Sequence, residues 1–86
     1  MKARDMLIRV KLFAILRERA GVGEMLLDLP EGATVESAAA ALVDRLPNVR
    51  EHARRVAYAV NCEYVDSSAR LKDGDELAVI PPVSGG

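Results

Sequence analysis

Eighty-six residues, half of them hydrophobic, suffice for one compact domain and leave no room for a second. Twelve basic against thirteen acidic side chains, a formal charge of −1, argue against nucleic acid as the main partner, because phosphate binding needs a concentrated positive surface. One cysteine and one histidine exclude an internal disulfide and leave too few ligands for an iron–sulfur cluster or a zinc site.

"MLIRVKLFA" alternates, with Ile8, Val10 and Leu12 on one side and Arg9 and Lys11 on the other, which predicts a half-buried strand. "AILRERAG" follows as a short helical turn that Gly21 can stop. "EMLLDL" places Met25, Leu27 and Leu29 on one face and reads as a second strand, paired with the first and broken by Pro30, Glu31 and Gly32. Thr34 stands where a helix N-cap is wanted, and Glu36 suits the positive end of the dipole. From there Val35, Ala38, Ala39, Leu42, Val43 and Leu46 recur at helical spacing until Pro47. After a polar stretch of weak helical character come "VAYAV", "EYV" and "ELAVI", each strand-like, with Asp73-Gly74 turning the chain before the last. The order is that of an α+β domain, a sheet with one main helix across a single face. Ile8, Val10, Leu12, Leu27, Leu42, Val43 and Leu46 are its expected core. On the uncovered face Phe13 and Ile80 stand out of phase with that core, with Arg9, Lys11 and Tyr64, as scattered surface or as a docking patch.

The remaining residues have ordinary explanations. Cys62 is expected as a buried, inert thiol and His52 as a surface histidine. Arg50, Arg54 and Arg55 read as a solvated face. Asp73, Asp75 and Glu76 have the oxygens of a calcium loop, but "LKDGDE" runs straight into "LAVI" with no later ligand at the right spacing, so a turn is expected. The apolar runs are too short to cross a membrane, and "MKARDMLIRV" lacks a signal-peptide core, which leads us to expect a cytoplasmic protein. The last residues, "IPPVSGG", end on two glycines. A frayed end or an expression remnant would account for the glycines, but "IPPVS" is not linker-like.

"VKLFA" with Arg17-Glu18 soon after, "LPEGATV" opening the main helix, "AVN" before the short strand and "LKDGDELAVIPPVSGG" together resemble the molybdopterin synthase small-subunit family. The match runs in order over nearly the whole chain, although "MKARD" and "RLPNVREHARR" carry no family motif. The resemblance implies a ubiquitin-like β-grasp, here residues 1–80, and a flexible tail over 81–86. It implies that the reactive group is the carboxylate of Gly86, with Gly85 before it. Partner-binding positions then fall on Phe13, Arg17, Tyr64 and Ile80, and on Pro81, Pro82 and Val83 of the tail. Tyr64 stands where an aliphatic residue is expected.

The chemistry that the resemblance implies needs this ending. A carboxylate is a poor electrophile, so an E1-like enzyme first adenylates the terminal glycine with ATP. Sulfide equivalents then displace AMP to leave a thiocarboxylate. Its sulfur attacks carbons of cyclic pyranopterin monophosphate in the large subunit, and two such transfers build the dithiolene of molybdopterin. The chain would thus be a non-catalytic, sulfur-donating subunit with no bound cofactor, assembled in a heterotetramer with two large subunits at its centre. Pro81-Pro82 would hold the tail base extended and away from the sheet, while Gly85 and Gly86 pass where a Cβ is forbidden. Gly-Gly also fits sulfur carriers for thiazole synthesis or tRNA thiolation, and ubiquitin-like modifiers joined to lysines. A plain interaction domain with an incidental tail is the remaining alternative. "PPVSGG" favours the molybdopterin branch.

Overall fold

The computed structural model describes residues 5–82. Strand β1 (Asp5–Leu12) buries Met6, Ile8, Val10 and Leu12 and turns Asp5, Leu7 and Arg9 outward. It pairs antiparallel with β2 (Glu24–Pro30), so that Val10, Ile8 and Met6 stand opposite Met25, Leu27 and Leu29. Helix α1 (Ala14–Ala20) links the two and is stopped as expected by Gly21, whose φ of 80° suits a residue without Cβ and whose N–H donates to the Arg17 carbonyl at 3.0 Å.

Thr34 caps α2 (Val35–Arg45) through a reciprocal pair with Ser37: the Ser37 N–H donates to Thr34 Oγ1 at 3.2 Å and the Thr34 N–H to Ser37 Oγ at 3.4 Å. Two further N–H groups of the first turn, Val35 and Glu36, donate to the carbonyls of Ala69 and Ser67, both at 2.9 Å. The loop before the last strand therefore seals a helix end that would otherwise leave donors unpaired. Val35, Ala38 and Leu42 are buried against the sheet. Val43 and Leu46, expected in the core, are only half-buried, because the apolar stripe is wider than the line of contact and these two pack on its margin. A 3₁₀ helix (Pro47–His52) follows and seats Val49, flanked in sequence by Asn48 and Arg50, fully buried in the core.

Strands β3 (Ala57–Val60), β4 (Glu63–Val65) and β5 (Glu76–Ile80) complete a five-stranded sheet of order β2-β1-β5-β3-β4. β1 and β5 run parallel and the other neighbours antiparallel. Val10 is flanked on both sides by apolar partners, Met25 and Leu77 in register. Burying a side chain such as Ile8, Leu27, Leu42 or Leu77 contributes about 1.5–3 kcal/mol. A mixed sheet with one main helix across one face is the α+β, β-grasp arrangement expected.

The "LKDGDE" segment is a turn, and its two aspartates are occupied by hydrogen bonds that tie it to β1 and to the β3–β4 turn. Asp73 Oδ1 accepts the Leu7 N–H at 2.8 Å, and the Leu7 carbonyl accepts the N–H of Gly74, whose φ is 87°. Asp75 accepts the Lys72 N–H at 2.8 Å and the Asn61 side-chain amide at 2.9 Å. Asn61 and Cys62 form the two-residue turn between β3 and β4, with φ of 50° and 74°, the left-handed pair that a tight hairpin requires. Cys62 is consequently exposed. The expectation of a buried thiol fails because the apolar run ends at Val60, and the turn residues have no core to face.

Candidate functional site

The face of the sheet opposite α2 has no covering element among the described residues, and the strand register maps what it presents. One row runs Glu24, Lys11, Ala78, Ala59, Tyr64 across all five strands. The next places Ile80 beside Ala57. Three alanines thus form a low floor bordered by Lys11, Ile80 and Tyr64. That floor was not singled out from the sequence, although the out-of-phase positions of "VAYAV" and "ELAVI" hold the signal. Tyr64 rises from the edge strand at 76% exposure, whereas Ile80 is half-buried rather than fully open. Leu7 and Leu26, diagonal neighbours on β1 and β2, form a further exposed apolar pair that the sequence reading passed over.

Charge on this face is largely cancelled locally. Arg9 Nε lies 3.0 Å from Glu24 and Lys11 Nζ 3.2 Å from Glu76. Exposed pairs of this kind contribute about 0–1 kcal/mol, so their main effect is to leave the middle of the face close to neutral. A neutral, small-residue floor with aromatic and aliphatic borders suits burial against another protein better than it suits chemistry.

Phe13 and Arg17 are brought together. Phe13 follows β1 and N-caps α1 in an extended conformation, and it remains 43% exposed. Ala14, at φ 51°, turns the chain through a left-handed conformation that costs a residue with a Cβ about 1–2 kcal/mol. This is the sharp step that starts α1 directly after Phe13 and leaves the ring outside the core. Lys11, Phe13, Arg17, Gly23 and Glu24 line one shallow recess of about 400 Å³. Among the described residues Arg17 has no carboxylate at ion-pair distance.

The tail base departs from expectation at one point. Pro82 is exposed, but Pro81 is buried and not held away from the sheet. It forms one wall of a groove of about 540 Å³ with Ile15, Arg54 and Arg55. Val83, Gly85 and Gly86 lie outside the described residues.

Two ionisable groups are displaced by the fold. Burial pushes the Tyr58 phenol above its ordinary 10.0, and the nearby Glu36 carboxylate adds to the effect. The Asp66 carboxyl is held below its ordinary value by hydrogen bonds from the Ser68 hydroxyl and then the Ser68 N–H. Tyr58 stands in register with Val79 on the helix side, and Asp66 lies in the loop after β4, so neither belongs to the open face. Among the described residues no three His, Cys, Asp or Glu side chains are grouped so as to hold a metal ion.

Comparison with known proteins bears on the family and the fold. The chain is 43% identical over 79 residues to a molybdopterin synthase sulfur carrier subunit of Arabidopsis thaliana, covering 92% of this chain and 82% of that protein. It is 42% identical over 83 residues to the protein of the same name in Chlamydomonas reinhardtii, covering 94% and 100%. Its fold superposes on small archaeal modifier protein 1 of Haloferax volcanii with a TM-score of 0.86 at 31% identity, over 91% of this chain and 99% of the other. The model of the ThiS family matches residues 10–86, from the middle of β1 through both final glycines, and the chain belongs to that family.

Proposed function

We propose that this protein is the sulfur carrier of molybdopterin synthase. The observation that carries the reading is identity above 40% to two sulfur carrier subunits of that enzyme, over more than nine-tenths of the chain. The uncovered face, with its neutral floor bordered by Ile80 and Tyr64 and with the exposed Phe13 in the adjoining recess, supports a role completed by a second protein. In this reading the large subunit covers that face and receives the tail.

The chemistry resides in the carboxylate of Gly86. An E1-like enzyme transfers AMP from ATP to it, releasing pyrophosphate, and sulfide displaces AMP to give the thiocarboxylate. The soft, anionic sulfur then attacks the pterin substrate in the large subunit. The described residues supply a folded mount. From Pro82, the four residues to Gly86 reach at most about 13–14 Å when fully extended, enough to carry the reactive end into a recessed site while the domain stays outside. A cytoplasmic location and a heterotetramer around two large subunits belong to the same proposal.

The test is intact-mass measurement of the protein after incubation with its activating enzyme, ATP and a sulfide source. The reading expects the gain of one oxygen-to-sulfur exchange at the C-terminus, followed by its loss when the large subunit and the pterin substrate are added. A thiocarboxylate that forms but never discharges to the pterin contradicts it.

The superposition on an archaeal modifier protein favours a second reading, in which the same activated terminus is transferred to lysines. Isopeptide-linked adducts in the native host, lost when Gly86 is deleted, are the outcome that distinguishes it.

A further inference from the structure

Gly23 is a glycine that turn geometry does not explain. Gly21, Gly32 and Gly74 have positive φ, whereas Gly23 does not, so an alanine fits its backbone without strain. What a side chain at this position would disturb is Arg17. A Cβ on Gly23 would stand 3.1 Å from Arg17 Nε and 3.4 Å from its Cδ and Cζ, inside the optimal separation of about 3.5–4.0 Å for carbon contacts. Neither backbone is free to yield: the Gly23 carbonyl accepts the Leu12 N–H at 2.9 Å, and the Arg17 carbonyl accepts the Gly21 N–H at 3.0 Å. Only the end of the Arg17 side chain can move.

The geometry points to Gly23 as a positioning residue for docking: by lacking a side chain it leaves the Arg17 side chain its place in the recess that Phe13 also lines, where the guanidinium meets a carboxylate of the docking protein. The acidic chemistry of that partner group follows from the charges. Arg9 and Lys11 are engaged by Glu24 and Glu76, and among the described residues Arg17 has no such partner. A planar guanidinium fixed against a surface recognises a carboxylate through paired hydrogen bonds, and a displaced one loses that alignment. The inference rests on the proposed docking of the large subunit to this face.

Two measurements separate the inference from that reading. In the free protein, Gly23→Ala should shift the Arg17 Nε–H resonance while the melting temperature stays unchanged or rises, because alanine restricts the unfolded chain. Binding of the large subunit is then measured for wild type, Gly23→Ala, Arg17→Ala and the double variant. Gly23→Ala should weaken binding about tenfold, within the range of coupling between contacting residues, and should cost nothing further once Arg17 is alanine. An unmoved Arg17 resonance, or a Gly23→Ala penalty that persists without Arg17, overturns the positioning role even if docking stands. A shifted resonance with Arg17→Ala and Phe13→Ala both binding as wild type overturns the docking of this face itself.

Discussion

Asp73 Oδ1 accepts the backbone N–H of Leu7 at 2.8 Å, and the Leu7 carbonyl accepts the N–H of Gly74 at 2.9 Å, joining the start of β1 to the turn before β5 across 66 residues of sequence. The pair sets the register of the parallel β1–β5 contact at its open end. Asp73→Ala should therefore destabilise the domain by about 1 kcal/mol, the ordinary net worth of a hydrogen bond, since the site is exposed. Denaturant melts measure it, and a loss under a few tenths of a kcal/mol means that the turn holds without this bond. Calcium should leave the wild-type midpoint unchanged, because Asp73 and Asp75 are already committed to N–H donors.

Leu42→Ala tests the seat of α2. Leu42 is buried on the helix stripe facing the sheet, and removing its side chain should cost about 2–5 kcal/mol. Val43→Ala, on the half-buried margin, should cost clearly less. Equal costs would mean that the stripe faces the sheet differently from the arrangement described.

The strands and α2 were legible because their periodicities are clean: the inward set of β1 and the Thr34 cap both lie where the pattern puts them. Val49 was not legible. A lone valine among charged residues has no periodicity to betray it, and only the 3₁₀ turn after Pro47 brings it against the core. Cys62 was misread for the converse reason, since an apolar-looking neighbour of a strand became a turn residue with positive φ. Of the site, Phe13 was visible as an apolar residue out of phase with its strand. That it lines one recess with Arg17 and Gly23 depends on the left-handed step at Ala14, which no sequence pattern announces.

Tyr58 gives the fold a pH dependence at the alkaline end. Burial, and secondarily Glu36, raise its folded-state value above 10.0, so the unfolded chain releases this proton first. The contribution is complete below pH 10.0 and is lost as pH rises through the folded value. A phenolate absorbance titration in a Tyr64→Phe background should place Tyr58 above 10.0, and Glu36→Gln should lower it only in part. Full return to 10.0 in the Glu36 variant would assign the effect to charge rather than burial.

Phe13→Ala should leave the melting temperature nearly unchanged, because the ring is 43% exposed and lies outside the core. Binding of the large subunit should weaken by about 1–3 kcal/mol, as for an aromatic anchor at an interface. Calorimetry on the intact chain reads both quantities. Normal binding removes Phe13 from the interface, and unfolding places it in the core.

Gly86 is where the proposed chemistry is most exposed to test. Deleting it should abolish sulfur transfer while leaving stability and large-subunit binding close to wild type. Deletion draws the reacting carbonyl back by about 3.3–3.6 Å, whereas displacement by about 1 Å already costs a reaction much of its rate. Adding one residue after Gly86 should be equally damaging, because a peptide bond then stands where the thiocarboxylate must form and the free carboxylate overshoots the adenylation site. Both variants are incubated with the activating enzyme, ATP and sulfide, and their intact masses are followed beside wild type. Binding retained with sulfur transfer lost supports Gly86 as the reactive end. Thiocarboxylate formed on either variant at the wild-type rate, followed by normal dithiolene formation, shows that the reaction does not depend on the position of this residue and removes it from the mechanism.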